Sequence, residues 1–252
     1  MVNNTPKVSI ITVTYNNKNN LEKTINSIKS LKYDNKEFII IDGGSNDGSL
    51  ELITDYPEVI SKWVSEEDKG IYDAMNKGIK LSAGDYLWFM NAGDEIFDKN
   101  ILNEIFKMKA DADLYYGDTE LVDSEGKSYG KRRLKRPPEK LTWKKMINGM
   151  VVTHQSMIVN KSLSPYYNNE YKYCADIDWT INILKRSNVI INTRKTFCKF
   201  QLGGFSRKNT FASLKERFNI LTKHFSYVNV VYHQILLGFR FIGHIVRIRK
   251  IL

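Results

Sequence analysis

Cysteine is scarce in this chain: two among 252 residues, Cys174 and Cys198. Two thiols so placed make neither a disulfide framework nor a metal-ligand spacing, which favours a reducing compartment. Nowhere is there a run of about 18 uncharged apolar residues, the minimum for a membrane-spanning helix. The opening "MVNNTPKVSIITVTYNN" has no basic start, and its apolar run is too short and too β-branched for a secretory leader. Internal repeats and low-complexity stretches are absent as well. Acids are nearly missing from residues 127–145, which hold nine Lys/Arg against the single Glu139. The asymmetry extends along the chain: residues 1–100 carry a net charge of −5, so the remainder carries +15 of the total +10. A basic face of this kind suits nucleic acid, anionic lipid or phosphorylated substrates, and equally a solvated loop.

What is present is a regular alternation. "KVSIITVTYN" (7–16) has the β-branched, apolar signature of a strand, and Leu21, Ile25, Ile28 and Leu31 then fall on one helical face. "KEFIIID" (36–42) gives a second buried strand running into Gly43-Gly44-Ser45. Residues 49–56 form a second helix, 59–66 a third strand, 70–82 a third helix and 85–92 a fourth strand. Strands alternating with helices predict an α/β fold with a mostly parallel sheet covered on both faces. In such sheets ligands bind beyond the carboxyl ends of the strands. Three polar clusters occupy those ends: Thr14-Tyr15-Asn16, Asp42 to Ser45, and Asn91 to Glu95. Further strands are expected over 111–123, 150–160 and 189–206, with a helix beginning near Asp176. The last 25 residues read as an amphipathic helix, with Asn229, His233, Arg240, His244 and Arg247 on one stripe and Val228, Val231, Ile235, Phe239, Ile242 and Val246 opposite. Such a helix can lie on a bilayer or dock on the protein body.

Taken singly, Asp42 before two glycines and Asp94 after Gly93 are ordinary turn chemistry. Placed together at the ends of one sheet, they can hold a base, a ribose or a hard cation. The segments "VSIITVTYNN", "IIIDGGSNDGS", "EDKGIYDAMNKGI", "YLWFMNAGDEIF" and "YCADIDW" resemble, in order and spacing, the family 2 glycosyltransferases. "HQS" and "GGFS" narrow the resemblance to the bacterial exopolysaccharide and colanic-acid-type branch, over roughly residues 6 to 206.

That resemblance implies a GT-A fold over residues 1–208, followed by a helical extension over 209–252. It implies an inverting, metal-dependent transfer from a nucleotide-sugar, with UDP-sugar expected, and Mn²⁺ or Mg²⁺ as cofactor. Thr14 and Tyr15 would line the nucleotide pocket and Asp42 would accept a bond from the base. Asp73, Asn76 and Lys77, with Lys69 before them, would flank the donor. Asn91, Ala92 and Gly93 would touch the nucleotide-sugar, Asp94 would hold the metal, and Asp176 would be the catalytic base. Both Asp176 and Asp178 can also be read as helix caps, and His154 as a buried or gate-lining histidine. Gly203-Gly204-Phe205-Ser206 would close over the diphosphate, with Arg207 as its cation. Two departures from the family pattern stand out: Asn91 and Gly93 replace carboxylates, and Gly43 replaces the second acid of its turn. Fewer anionic ligands should weaken a metal site, leaving the diphosphate to supply coordination.

The expected setting is surface-polysaccharide assembly at the inner face of the cell membrane, with a saccharide or polyprenyl-diphosphate-linked acceptor and an anionic membrane surface as partners. Two alternatives compete. A sugar-nucleotide nucleotidyltransferase needs a Gly-rich basic loop after the first strand, and "TYNNKNN" has no glycine. A nucleic-acid-binding protein would interleave its cations with aromatics over one surface, whereas these sit in one loop and one tail.

Overall fold

A computed structural model describes residues 5–109, 111–132, 136–203 and 209–249, with side chains as far as Phe239. The alternation appears as predicted: β1 (Val8–Thr14), α1 (Lys18–Lys29), β2 (Lys36–Asp42), α2 (Ser49–Thr54), β3 (Lys62–Ser65), α3 (Ile71–Leu81) and β4 (Tyr86–Phe89). β1 pairs in parallel with β2 and β4, and β2 with β3, so Thr14 and Asp42 stand side by side. Every residue of β1 is buried because successive side chains serve opposite faces. Ile11, Val13, Ile39 and Ile41 pack with α3 in one core; Val8, Ile10, Phe38 and Ile40 pack with α1 in the other. Burying each such side chain contributes about 1.5–3 kcal/mol.

The second half is less regular than its sequence pattern. β5 (Glu95–Ile96), α4 (Ile101–Met108), β6 (Leu114–Val122) and β7 (Ser128–Lys131) precede a 3-10 turn at Trp143–Asn148. The expected strand over 150–160 is instead a 3-10 turn, His154–Ser156, followed by the short β8 (Met157–Asn160). α5 (Ala175–Arg186) and β9 (Ile190–Gln201) follow. The sheet order is β3-β2-β1-β4-β8-β6-β9-β5, with β7 on β6. Pairings β4–β8, β6–β8 and β5–β9 are antiparallel, so the parallel half is continued by a mixed, irregular half.

Two helices end the described chain, α6 (Thr210–His224) and α7 (Tyr227–Arg249). Ile220, Leu221 and Val230 are fully buried in the α3/α5 core, so both helices pack on the body. On α7 His233 of the polar stripe faces inward, its Nδ1 3.3 Å from Asn148 Oδ1, beside Gln234, whose Nε2 donates to the Ile147 carbonyl, while Asn229 is exposed. The apolar stripe faces outward, with Val228, Ile235 and Phe239 exposed. The side chains of Arg240, His244 and Arg247 lie outside the described ones. Among the described residues no helix is long and apolar enough to cross a membrane.

Candidate active site

The carboxyl ends of β2, β1 and β4 form one edge, and the residues beyond them are linked side by side. Gly43 N donates to the Thr14 carbonyl, and Ala92 N to the Val13 carbonyl. From there the chain of contacts runs away from the sheet: Asn91 Nδ2 lies 3.4 Å from His154 Nε2, and His154 Nδ1 lies 3.7 Å from Asp176 Oδ2. His154 meets Phe89 edge-on, which holds its ring between the two. Asp176 Oδ1 accepts from Ile177 N at the start of α5. Asp178 points away, bonding His224 Nε2 of α6 at 2.6 Å. Of the two acids in "ADID", Asp176 alone faces the edge.

Two atoms at this edge are buried without a protein partner, Thr14 Oγ1 and Asn91 Oδ1. Buried oxygens are ordinarily satisfied, so orphans in a cleft are where a ligand's hydroxyl or amide belongs. Tyr15 is two-thirds exposed beside them. A methyl at Gly43 would come within 3.1 Å of Asp68 Oδ2 and 3.3 Å of the Tyr15 ring, so this glycine lets the two approach the backbone closely. Asp68 went unnoticed in the sequence; the signal was its place just beyond β3, where an acid follows the same strand-end logic.

A match to the family model described as "Glycosyl transferase family 2" spans residues 9–164. The chain is a family 2 glycosyltransferase. It is 30% identical over 199 residues to a PGL/p-HBAD biosynthesis glycosyltransferase of Mycobacterium bovis, covering 75% of this chain and 73% of that one. It is 24% identical to Escherichia coli WfgD, named a UDP-Glc:alpha-D-GlcNAc-diphosphoundecaprenol beta-1,3-glucosyltransferase, with 85% of each chain covered. Similarity to an uncharacterized glycosyltransferase of Mycobacterium tuberculosis is 37% over 98 residues, and the match spans only 37% of that relative. Among solved structures, S. aureus TarS in complex with UDP-GlcNAc superposes with a TM-score of 0.68 at 17% identity, covering 85% of this chain and 64% of that one. Pyrobaculum calidifontis PcManGT, in complex with GDP-Man and Mn²⁺, superposes at 0.64 with 16% identity, covering 92% and 70%. These neighbours establish the GT-A fold.

Several residues that the family resemblance assigns to ligands are occupied by the protein itself. Asp42 is fully buried; Oδ2 accepts from Ser45 N at 3.0 Å and Ser65 Oγ at 2.6 Å, and Oδ1 accepts from Ser45 Oγ. It braces the turn after β2. Asn76 spends its amide on Tyr167 and Asn169, pinning the loop before α5. Lys77 is enclosed by Glu66 and Asp68, and Asp73 accepts from Lys69 N. These three tie α3 to the loops on either side of it. Arg207 lies outside the described residues.

Asp94 is held by its own loop and its neighbours. Its Oδ2 accepts from Asn91 N at 3.1 Å and from Gln155 Nε2 at 3.0 Å, and Gln201 donates a further backbone bond. Burial pushes its carboxyl up to about 6, overriding the hydrogen bonds from Gln155, Asn91 and Gln201. Used on several sides and shut from solvent, the carboxylate clamps its loop in this arrangement. The position where a neighbouring acid would stand is Gly93, at φ +104°. No group of three or more His, Cys, Asp or Glu among the described residues could hold a metal. What faces the edge beside Asp94 is Asn91 Oδ1, His154 and the Asp176 carboxylate, which make no preformed cage among the described residues. A hard divalent cation seeks anionic oxygen, so here it would need oxygens of the diphosphate.

Proposed function

We propose that this glycosyltransferase is inverting and moves a sugar from a nucleotide-sugar, expected to be a UDP-sugar, to a saccharide acceptor carried on a polyprenyl diphosphate, in bacterial surface-polysaccharide assembly. The observation that carries this reading is the Asn91–His154–Asp176 run beside two orphaned oxygens at the sheet edge. In the proposed arrangement the nucleobase lies against the exposed ring of Tyr15, near Asp68. Thr14 Oγ1 and Asn91 Oδ1 meet ribose and sugar hydroxyls, with the Ala92–Gly93 backbone alongside. The acceptor hydroxyl attacks the anomeric carbon and gives its proton to the Asp176 carboxylate. The sugar–phosphate bond breaks on the opposite face, and the electron pair leaves with the nucleoside diphosphate. Proton removal by a positioned base contributes typically about 10²–10⁴ in rate. His154 orients that carboxylate, and Arg207 is proposed to meet the departing charge.

WfgD supports the choice of acceptor by its name, and TarS the choice of donor by its bound UDP-GlcNAc. A peripheral place at the inner membrane face is supported by the outward surface of α6 and α7. Phe211 is 85% exposed, Val228 74% and Phe239 68%, alongside the basic end of α7. Apolar residues beside cations are what an anionic bilayer surface accepts. Thermal-shift measurements with UDP-, GDP- and dTDP-sugars test the reading. One nucleotide series is expected to stabilise the chain, and stabilisation by none of them would sink it.

A further inference from the structure

Arg132 stands at the inner end of the basic segment, directly after β7. Its neighbour Lys131 pairs with Asp118 at 2.6 Å, as a surface cation usually does. Arg132 turns inward instead. Its Nη2 donates to the Met150 carbonyl at 3.1 Å, on the loop that leads to Thr153 and His154. Among the described residues its buried Nη1 has no partner, and no carboxylate lies within ion-pair distance. Burial lowers its pKa, and the one charge that opposes this shift is Asp176.

A guanidinium keeps its proton in a protein, and its planar fork matches phosphate oxygens two at a time. Holding such a cation out of water without a counter-ion is costly, so its partner is expected from outside the chain. Which anion follows from the stereochemistry of the proposed transfer. Inversion sets the base and the acceptor on one side of the anomeric carbon and the leaving diphosphate on the other. Arg132 is hydrogen-bonded to the loop that carries His154, whose ring lies beside the Asp176 carboxylate, and so stands on the side of the base and the acceptor. Resting on the transfer proposed above, we infer that Arg132 receives a phosphate group of a diphosphate-linked acceptor.

Two calorimetric titrations of the whole chain separate this anion from the donor's. The first uses whichever nucleoside diphosphate corresponds to the stabilising sugar. The second adds inorganic pyrophosphate to the nucleotide-saturated protein, with Mg²⁺ in excess of both. Arg132→Gln is expected to weaken pyrophosphate at least about tenfold while shifting nucleotide affinity less than about twofold. Arg132→Lys keeps the charge but loses the fork, and an intermediate loss of about threefold is expected; this variant decides the case if the Gln protein does not fold. Nucleotide affinity falling in parallel with pyrophosphate would move the guanidinium to the donor and overturn the inference. Equal pyrophosphate binding in wild type and variants, or none on saturated wild type, would overturn it too. A wild type that binds no nucleotide would sink the transferase reading first, and this inference with it.

Discussion

Replacing Asp94 by Asn separates a loop clamp from a metal ligand, because the two roles respond oppositely to pH. In the fold the carboxyl titrates at about 6, against an ordinary 3.8. The folded state therefore holds this proton more tightly than the unfolded one. The stability it contributes is complete below 3.8 and is lost as pH rises through 6, a full span of about 3 kcal/mol. Between pH 7.5 and pH 5.0 wild type should gain about 1.4 kcal/mol from this group alone. Asp94→Asn has nothing to titrate there and should gain none of it. Its amide can still accept from Asn91 N and Gln155 through one oxygen. Its NH₂ then faces the Gln201 N–H, at a cost of about 1–3 kcal/mol for the unsatisfied donors. Urea unfolding of both proteins at the two pH values gives the double difference, from which every other titrating group cancels. A difference under about 0.5 kcal/mol would place the carboxylate in a water-like setting and refute the clamp. Stabilisation of wild type by Mn²⁺ that vanishes in Asp94→Asn would refute it independently.

Other residues give sharper contrasts. Asp176→Asn should lower turnover about 10²–10⁴-fold with donor binding retained, whereas Asp178→Asn should cost about 1–3 kcal/mol of stability through its lost His224 contact and spare the chemistry; paired kinetics and unfolding curves decide. Gly93→Ala forces a side chain to φ +104° and within 2.7 Å of Gln201 Oε1, so about 1–3 kcal/mol should be lost on denaturation, with donor affinity falling as the loop shifts. Glu216 accepts the backbone N–H groups of Lys172, Tyr173 and Cys174, and Glu216→Ala should cost about 3 kcal/mol and lower turnover although the residue lies outside the cleft. Ile235→Asp with Phe239→Asp should abolish flotation with anionic vesicles if α7 lies on the bilayer, and unchanged flotation would remove that surface from the account.

The parallel half of the fold was legible because its strands carry unbroken β-branched runs and its helices a clean apolar spacing. α4 was legible and overlooked: Ile101, Leu102, Ile105 and Phe106 are all buried on one face. The mixed half was not legible, since β6–β9 and β5–β9 pair residues tens of positions apart, β6–β9 with shifts in register. For the site, location could be read and orientation could not. Asp42 ends β2 and Asp94 lies in the turn beyond β4, yet each turns back on its own loop, Asp42 on Ser45 after it and Asp94 on Asn91 before it. An Asp beside Gly or Ser has that local option, and only the packing above, from Ser65 in one case and Gln155 in the other, settles which is taken. Asp176 and Asp178 are two residues apart on a helix and so must diverge, but nothing in "ADID" says which faces the cleft. Arg132 looked like one more cation of a basic loop until its burial and missing partner distinguished it.

The helical extension belongs in the same chain of cause. Glu216 of α6 gathers the three amides just before α5, and His224 of α6 holds Asp178 two residues past the base. α6 thus braces the first turn of α5 from both sides, and Asp176 sits between the two braces. Arg217 Nη2 in turn donates to Gln234 of α7, whose amide reaches the turn before the Met150 loop that Arg132 and His154 share. A base that must meet an acceptor hydroxyl within hydrogen-bond distance tolerates little displacement, and a 1 Å error can cost about 10²-fold. Contact of α7 with a membrane would then act on helices already coupled to the base and to the proposed phosphate site. On this reading the surface that brings the enzyme to its lipid-carried acceptor and the side chains that receive that acceptor form one mechanical unit.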